Sequence, residues 1–113
     1  MPPIAGFTYS PVNPTPLDTV VFTDISTDED GSVVDWYWEF GDGVTSAEQN
    51  PTHQYADDGT YYVNLTVTDN DGETNTAQII LVVVPPVINI DTMGMSIHFN
   101  VIKILWPLGN ATI

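Results

Sequence analysis

The sequence predicts an all-β fold, an antiparallel β-sandwich of about seven strands. Three observations carry the prediction. Apolar and polar residues alternate with period two, as a half-buried sheet requires. Turn-forming residues recur at intervals of roughly ten residues, the spacing of sandwich proteins. Apolar residues do not recur at three and four, and nine prolines and eight glycines interrupt any helical run.

Each strand has its own signal. Residues 4–9 form a weak first strand. Residues 17–23 form a second, with Val20 and Phe22 on one face. In residues 33–40 the alternation puts Val34, Trp36, Trp38 and Phe40 on one face and Asp35, Tyr37 and Glu39 on the other. Gly41-Asp42-Gly43 is a tight turn, because glycine reaches positive φ without steric cost. Residues 44–46 return as a short strand, Asn50-Pro51 turns again, and residues 53–55 make a short strand near an edge. Asp57-Asp58-Gly59 is the next turn. Residues 60–68 then place Tyr61, Val63, Leu65 and Val67 inward and Tyr62, Asn64, Thr66 and Thr68 outward. Asn70-Asp71-Gly72 is a strong hairpin signal, and residues 74–84 close the set before Pro85-Pro86.

One detail sharpens the sandwich to the immunoglobulin-like kind. Asp57-x-Gly59-x-Tyr61 has the spacing of a tyrosine corner, in which the hydroxyl bonds back to upstream backbone. Val63 then stands where immunoglobulins place their second cysteine, and Trp38 where they place the core tryptophan. The chain has no cysteine, so that tryptophan must serve as the central packing piece unaided. Residues 1–86 are read as the sandwich. Residues 87–113 are read as a linker plus either an extra strand or the truncated start of a following domain.

Charge limits the partners. Fifteen acids face a single lysine, and every acid except Asp91 lies within residues 1–86, which hold no lysine or arginine. Ion pairs there are restricted to the N-terminus and a protonated His53. Nucleic acid is excluded as a partner, since phosphate binding runs on lysine and arginine. No run of apolar residues is long enough to span a membrane. Divalent cations, a cationic partner or a salty medium fit the charge.

The signature of the strands and turns is specific. Residues 26–43 read STDEDGSVVDWYWEFGDG, followed by Asn50-Pro51-x-His53-x-Tyr55 and then Gly59-x-Tyr61-x-Val63-x-Leu65-x-Val67-x-Asp69-x-x-Gly72. Over residues 4–84 this resembles the PKD domain, named for polycystic kidney disease protein. The resemblance implies an immunoglobulin-like sandwich in an extracellular or cell-surface setting. Such modules occur in archaeal and bacterial surface-layer proteins, secreted proteases, collagenases and chitinases. It also implies a non-catalytic spacer or adhesion unit whose partners are neighbouring domains of the same chain, surface proteins or polysaccharide. The acidity is similar to that of archaeal surface proteins.

Candidate sites follow. Asp28-x-Asp30-Gly31 and Asp69-x-Asp71-Gly72 lie in loops that this topology brings to one end, and converging carboxylates suit calcium. Some collagenase PKD domains bind calcium in this region, with Asp28, Asp30 and Asp69 at the matching positions. Those relatives draw further ligands from just before the first strand, where Met1-Pro2-Pro3 offers no side-chain oxygen, so the predicted set is incomplete. Tyr37 and Tyr62 face outward on neighbouring strands and are the candidate ligand-binding surface. Trp38 and Phe40 are assigned to the core. Asn64-Leu65-Thr66 and Asn110-Ala111-Thr112 are glycosylation sequons, with Asn64 on an outward face. An enzyme is not expected: Ser26, Ser32 and Ser46 lack a nucleophile context, and His53 is read as a strand residue that packs against the Gly-Asp-Gly turn.

Overall fold

The structure, a computed structural model, describes residues 1–86. Seven strands follow in chain order: β1 (Phe7–Ser10), β2 (Val20–Asp24), β3 (Val33–Glu39), β4 (Thr45–Ser46), β5 (Thr52–His53), β6 (Gly59–Asp69) and β7 (Thr74–Val83). They form two antiparallel sheets, β1-β2-β5 and β4-β3-β6-β7. The predicted extension over residues 87–113, including the sequon at Asn110, lies outside the described residues.

The core is what the alternation implies. Val20 and Phe22 from the smaller sheet meet Trp38, Val63, Leu65 and Leu81 from the larger one, all fully buried. Trp38 sits at the centre. The Phe7 ring meets it edge-on at 4.9 Å and the Phe22 ring lies 5.4 Å away. Its indole N–H donates to the Glu48 carbonyl at 2.8 Å, so the buried polar atom has a partner. The tyrosine corner is present: the Tyr61 hydroxyl donates to the Asp57 carbonyl at 2.8 Å.

The order of turns and strands is as read, but one face assignment needs correction. The β3–β6 register slips between Val33 and Asp35, a bulge that puts an extra residue into β3. Val33 therefore packs on the core, and Val34 is exposed rather than sharing the face of Trp36 and Trp38. Some strand ends also move. The first strand begins at Phe7, with Ile4 held only by an isolated bridge to Thr27, and the fifth ends at His53. Leu17 stays outside β2 and exposed, because Thr15 and Asp18 close a turn there instead.

Two polar clamps join the sheets near the Gly-Asp-Gly turn. His53 Nε2 lies 2.7 Å from Asp42 Oδ2, and its ring stacks on Phe40 at 4.4 Å. The buried Tyr55 hydroxyl donates to the Phe40 carbonyl at 2.8 Å. Burial pushes the Tyr55 phenol well above its ordinary value, so it serves only as a neutral donor.

Candidate functional site

The acidic residues gather where the β2–β3 loop meets the β6–β7 turn. These two connections lie at one end because β3 and β6 are antiparallel neighbours, with Val33 opposite Asp69. Asn70 ties them together. Its backbone N–H donates to the Ser32 carbonyl at 3.0 Å, and its side-chain oxygen accepts the Ser32 N–H at 3.0 Å.

Asp28, Asp30 and Asp69 each offer a carboxylate oxygen within 4.8 Å of the others. Their surroundings differ. Asp69 is 1% exposed. Its Oδ1 accepts the amides of Asp71 at 2.9 Å and Glu73 at 2.8 Å, which orients the side chain and fixes the hairpin turn. Its Oδ2 is buried and has no hydrogen-bond partner among the described residues. Both carboxylate oxygens of Asp28 are likewise buried and without a partner among the described residues. Three shielded oxygens without a donor are a costly arrangement, since burying a polar atom unpaired forfeits its hydration.

A positive charge already borders the cluster. The Met1 ammonium lies 3.1 Å from Asp30 Oδ2 and 2.8 Å from Glu73 Oε1. Hydrogen bonding first to Glu73 and then to Asp30 raises the ammonium pKa to about 10. The same ammonium holds Asp30 below the ordinary carboxylate range. Asp28 moves the other way: desolvation raises it, and the negative charges of Asp30 and Asp69 add to the shift.

Sequence reasoning grouped Asp28, Asp30, Asp69 and Asp71. The structure brings the first three together, while Asp71 belongs to a second, overlapping group with Asp69 and Glu73. Glu73 was missed because it follows the Asp-Gly turn and reads as the start of a strand. The contact of the chain's amino group with Asp30 and Glu73 has no side-chain signal at all.

The other candidates lie on the outer face of the four-stranded sheet. Tyr37 and Tyr62 are 47% and 55% exposed on adjacent strands. They are not opposite one another: Tyr37 pairs with Thr66, and Tyr62 with Ile80. The two positions are offset by four steps along β6, about 13 Å. Asn64 lies between them, half-buried in mid-strand, where its side-chain oxygen accepts from Gln78 Nε2 at 2.8 Å. His53 is engaged with Asp42 in the turn clamp, and among the described residues no serine hydroxyl bonds to it.

Comparison with known proteins agrees with this architecture. A model of the PKD domain family matches residues 1–84. Curated relatives include a microbial collagenase of Vibrio alginolyticus, 54% identical over 52 residues, which are 46% of this chain and 6% of that protein. Collagenase ColA of Bacillus cereus is 48% identical over 56 residues, 50% of this chain and 6% of that protein. The match thus spans only a small fraction of these relatives' length. Among solved structures, the PKD1 domain of Vibrio anguillarum Epp superposes with a TM-score of 0.69 at 37% identity, covering 76% of this chain and 98% of that one. A structure from work on carbohydrate-binding modules of the β-sandwich superfamily superposes with a TM-score of 0.73 at 38% identity, covering 75% of this chain and 35% of that one. With the family model spanning the whole sandwich and the corner tyrosine and Gly-Asp-Gly turn in place, this chain belongs to the PKD domain family.

Proposed function

We propose that the chain is a non-catalytic extracellular module, a spacer or adhesion unit of a multidomain secreted or cell-surface protein, and that it binds calcium at its acidic loop end. Its partners are neighbouring domains of the same chain. The observation that supports the calcium reading is the set of buried, unpartnered oxygens on Asp28 and Asp69 beside Asp30. Hard anionic oxygens converging from two loops suit calcium, which accepts six to eight such ligands in flexible geometry. Asp28, Asp30 and Asp69 would hold the ion, and Asp71 and Glu73 stand next to them. The ion would neutralise the mutual repulsion of these carboxylates and brace the β2–β3 loop against the β6–β7 turn.

The matched stretch is only 6% of each collagenase relative, which supports an accessory role. A second reading, contact with polysaccharide through the face bearing Tyr37 and Tyr62, is favoured by the neighbour described among carbohydrate-binding modules.

A calcium titration followed by melting temperature tests the first reading. The expected outcome is saturable stabilisation that sodium at matched ionic strength does not reproduce and that Asp69→Asn abolishes. A shift that sodium matches would mean that calcium merely screens the acids, and the site would have to be abandoned.

A further inference from the structure

The outward positions of β6 and β7 carry no charge, in a chain whose formal net charge is −14. Along β6 they are Thr60, Tyr62, Asn64, Thr66 and Thr68, and along β7 Thr74, Thr76, Gln78, Ile80 and Val82. The two rows face each other in unbroken register, Thr60 to Val82, Tyr62 to Ile80, Asn64 to Gln78, Thr66 to Thr76 and Thr68 to Thr74. The acids are displaced to the margin, where Asp35 and Glu39 flank Tyr37 on β3.

The ladder has two halves. One is apolar: Tyr62, Ile80 and Val82 are each about half exposed and adjoin one another. The other is a strip of amides and hydroxyls locked in place by their own bonds. Gln78 Nε2 donates to Asn64 Oδ1 at 2.8 Å, and the Thr66 and Thr76 hydroxyls bond at 2.8 Å. These bonds fix the rotamers without exhausting the groups. Asn64 Nδ2 and Gln78 Oε1 have no partner among the described residues, so a donor and an acceptor stand ready on one rigid surface.

We propose that this face of β6 and β7, edged by Tyr37, is the docking surface for a neutral polysaccharide chain. The inference deepens the polysaccharide reading given above and is independent of the calcium site. A sugar polymer presents apolar C–H faces and a repeating fringe of hydroxyls, and the two halves of the ladder offer groups that match both. The cost of ordering is lowered where side chains already bond each other, as Asn64 does with Gln78 and Thr66 with Thr76. Charge decides the class of glycan. A uronate or sulfated chain would meet the field of the surrounding carboxylates and be repelled, whereas a neutral one would not.

Affinity electrophoresis of the full chain, produced without glycosylation at Asn64, tests this. Native gels would contain hydroxyethylcellulose, glucomannan or xylan, with carboxymethylcellulose as the anionic counterpart. At least one neutral polymer should retard the protein and carboxymethylcellulose should not. The double variant Thr76→Ala/Gln78→Ala should weaken binding by about tenfold, as expected for two lost hydrogen bonds. Tyr37→Ala, a single truncation of an exposed ring, should weaken it as well and guards against misfolding of the double variant. Thr23→Ala, on the outer face of the opposite sheet, should leave it unchanged. Failure of all three neutral polymers to retard the wild-type chain would overturn both this inference and the polysaccharide reading. Retardation that survives in the double variant and in Tyr37→Ala would overturn the placement alone. The calcium-induced melting shift should be the same in every one of these variants, so the two readings fail separately.

Discussion

Asn70 and Ser32 hold each other by two hydrogen bonds, one in each direction and both 3.0 Å long. Together they stitch the β6–β7 turn to the β2–β3 loop. The clamp matters because the unpartnered carboxylates of Asp28 and Asp69 come from the two segments it joins. With the pairing of Val33 and Asp69 it opposes the repulsion between those carboxylates.

Gly31→Ala should break this clamp. A β-carbon at Gly31 would collide with Asn70 Oδ1 and fall 3.0 Å from Asp28 Oδ2. The Asn70 oxygen cannot retreat without releasing the Ser32 amide. The expected cost is about 1–3 kcal/mol in urea unfolding, with loss of any calcium-specific melting shift. Wild-type stability in the variant would show that the loops are not braced through Asn70.

Trp38→Ala should cost about 3–5 kcal/mol, because removing a fully buried ring leaves a cavity. Tyr37→Ala, one residue away on the exposed face, should stay within about 1 kcal/mol. Denaturant midpoints of the two variants compare the faces of β3 directly, and equal losses would contradict the side-chain parity.

The contrast between Trp38 and Tyr37 shows what was legible in the sequence. Alternation depends only on the pleat, so it placed Trp38, Leu65 and Val67 correctly inside and Tyr37 and Tyr62 outside. The bulge at Val33–Asp35 was not legible, since it depends on how β3 registers against β6 rather than on residues 33–35 themselves. The tyrosine corner was readable because its partner, Asp57, is local. The acidic end was readable in part. Antiparallel topology brings Asp28, Asp30 and Asp69 to one place, but the division into two groups about Asp69 depends on how the turn holds its carboxylate. The clamp from Asn70 to Ser32 spans 38 residues and leaves no local trace. The uncharged ladder is present in the sequence as a list, yet it becomes a surface only when β6 and β7 are paired.

Gly41 and Gly43 separate two costs that often occur together. Both adopt positive φ, at 91° and 94°. A β-carbon on Gly41 would lie 2.7 Å from the Tyr62 carbonyl oxygen, whereas one on Gly43 would meet nothing within 4 Å. Gly43→Ala should therefore lose about 1 kcal/mol from backbone strain alone. Gly41→Ala adds a collision with the backbone of β6 and should lose about 2–4 kcal/mol. Thermal unfolding of the pair tests the difference, and equal losses would mean that β6 yields to the methyl group.

The pH dependence of stability in metal-free buffer should bend in a way that Asp28 sets. Its folded-state pKa is raised, first by desolvation and then by the charges of Asp30 and Asp69. A raised carboxylate binds more protons in the folded state than in the unfolded one. Its contribution to stability therefore grows as pH falls through the folded value toward the unfolded one, and is lost as pH rises through the folded value. Asp24 works in the opposite sense. Burial opposes its ionisation, but hydrogen bonds from Ser26, Gln49 and Trp36 outweigh that and lower its pKa. The stability it supplies is present above the ordinary carboxylate value and is lost as pH falls through the depressed one. Mild acidification from neutrality should thus raise the melting temperature, and stronger acid should lower it. In Asp28→Asn the initial rise should shrink while the acid limb remains, because Asp24 is untouched. Saturating calcium should remove the rise in the wild type too, since an ion held by the Asp28 carboxylate favours its ionised form. A melting profile whose rise is identical in the wild type and in Asp28→Asn would assign it to the general repulsion of the acids, and the strained carboxylate at the loop end would lose its support.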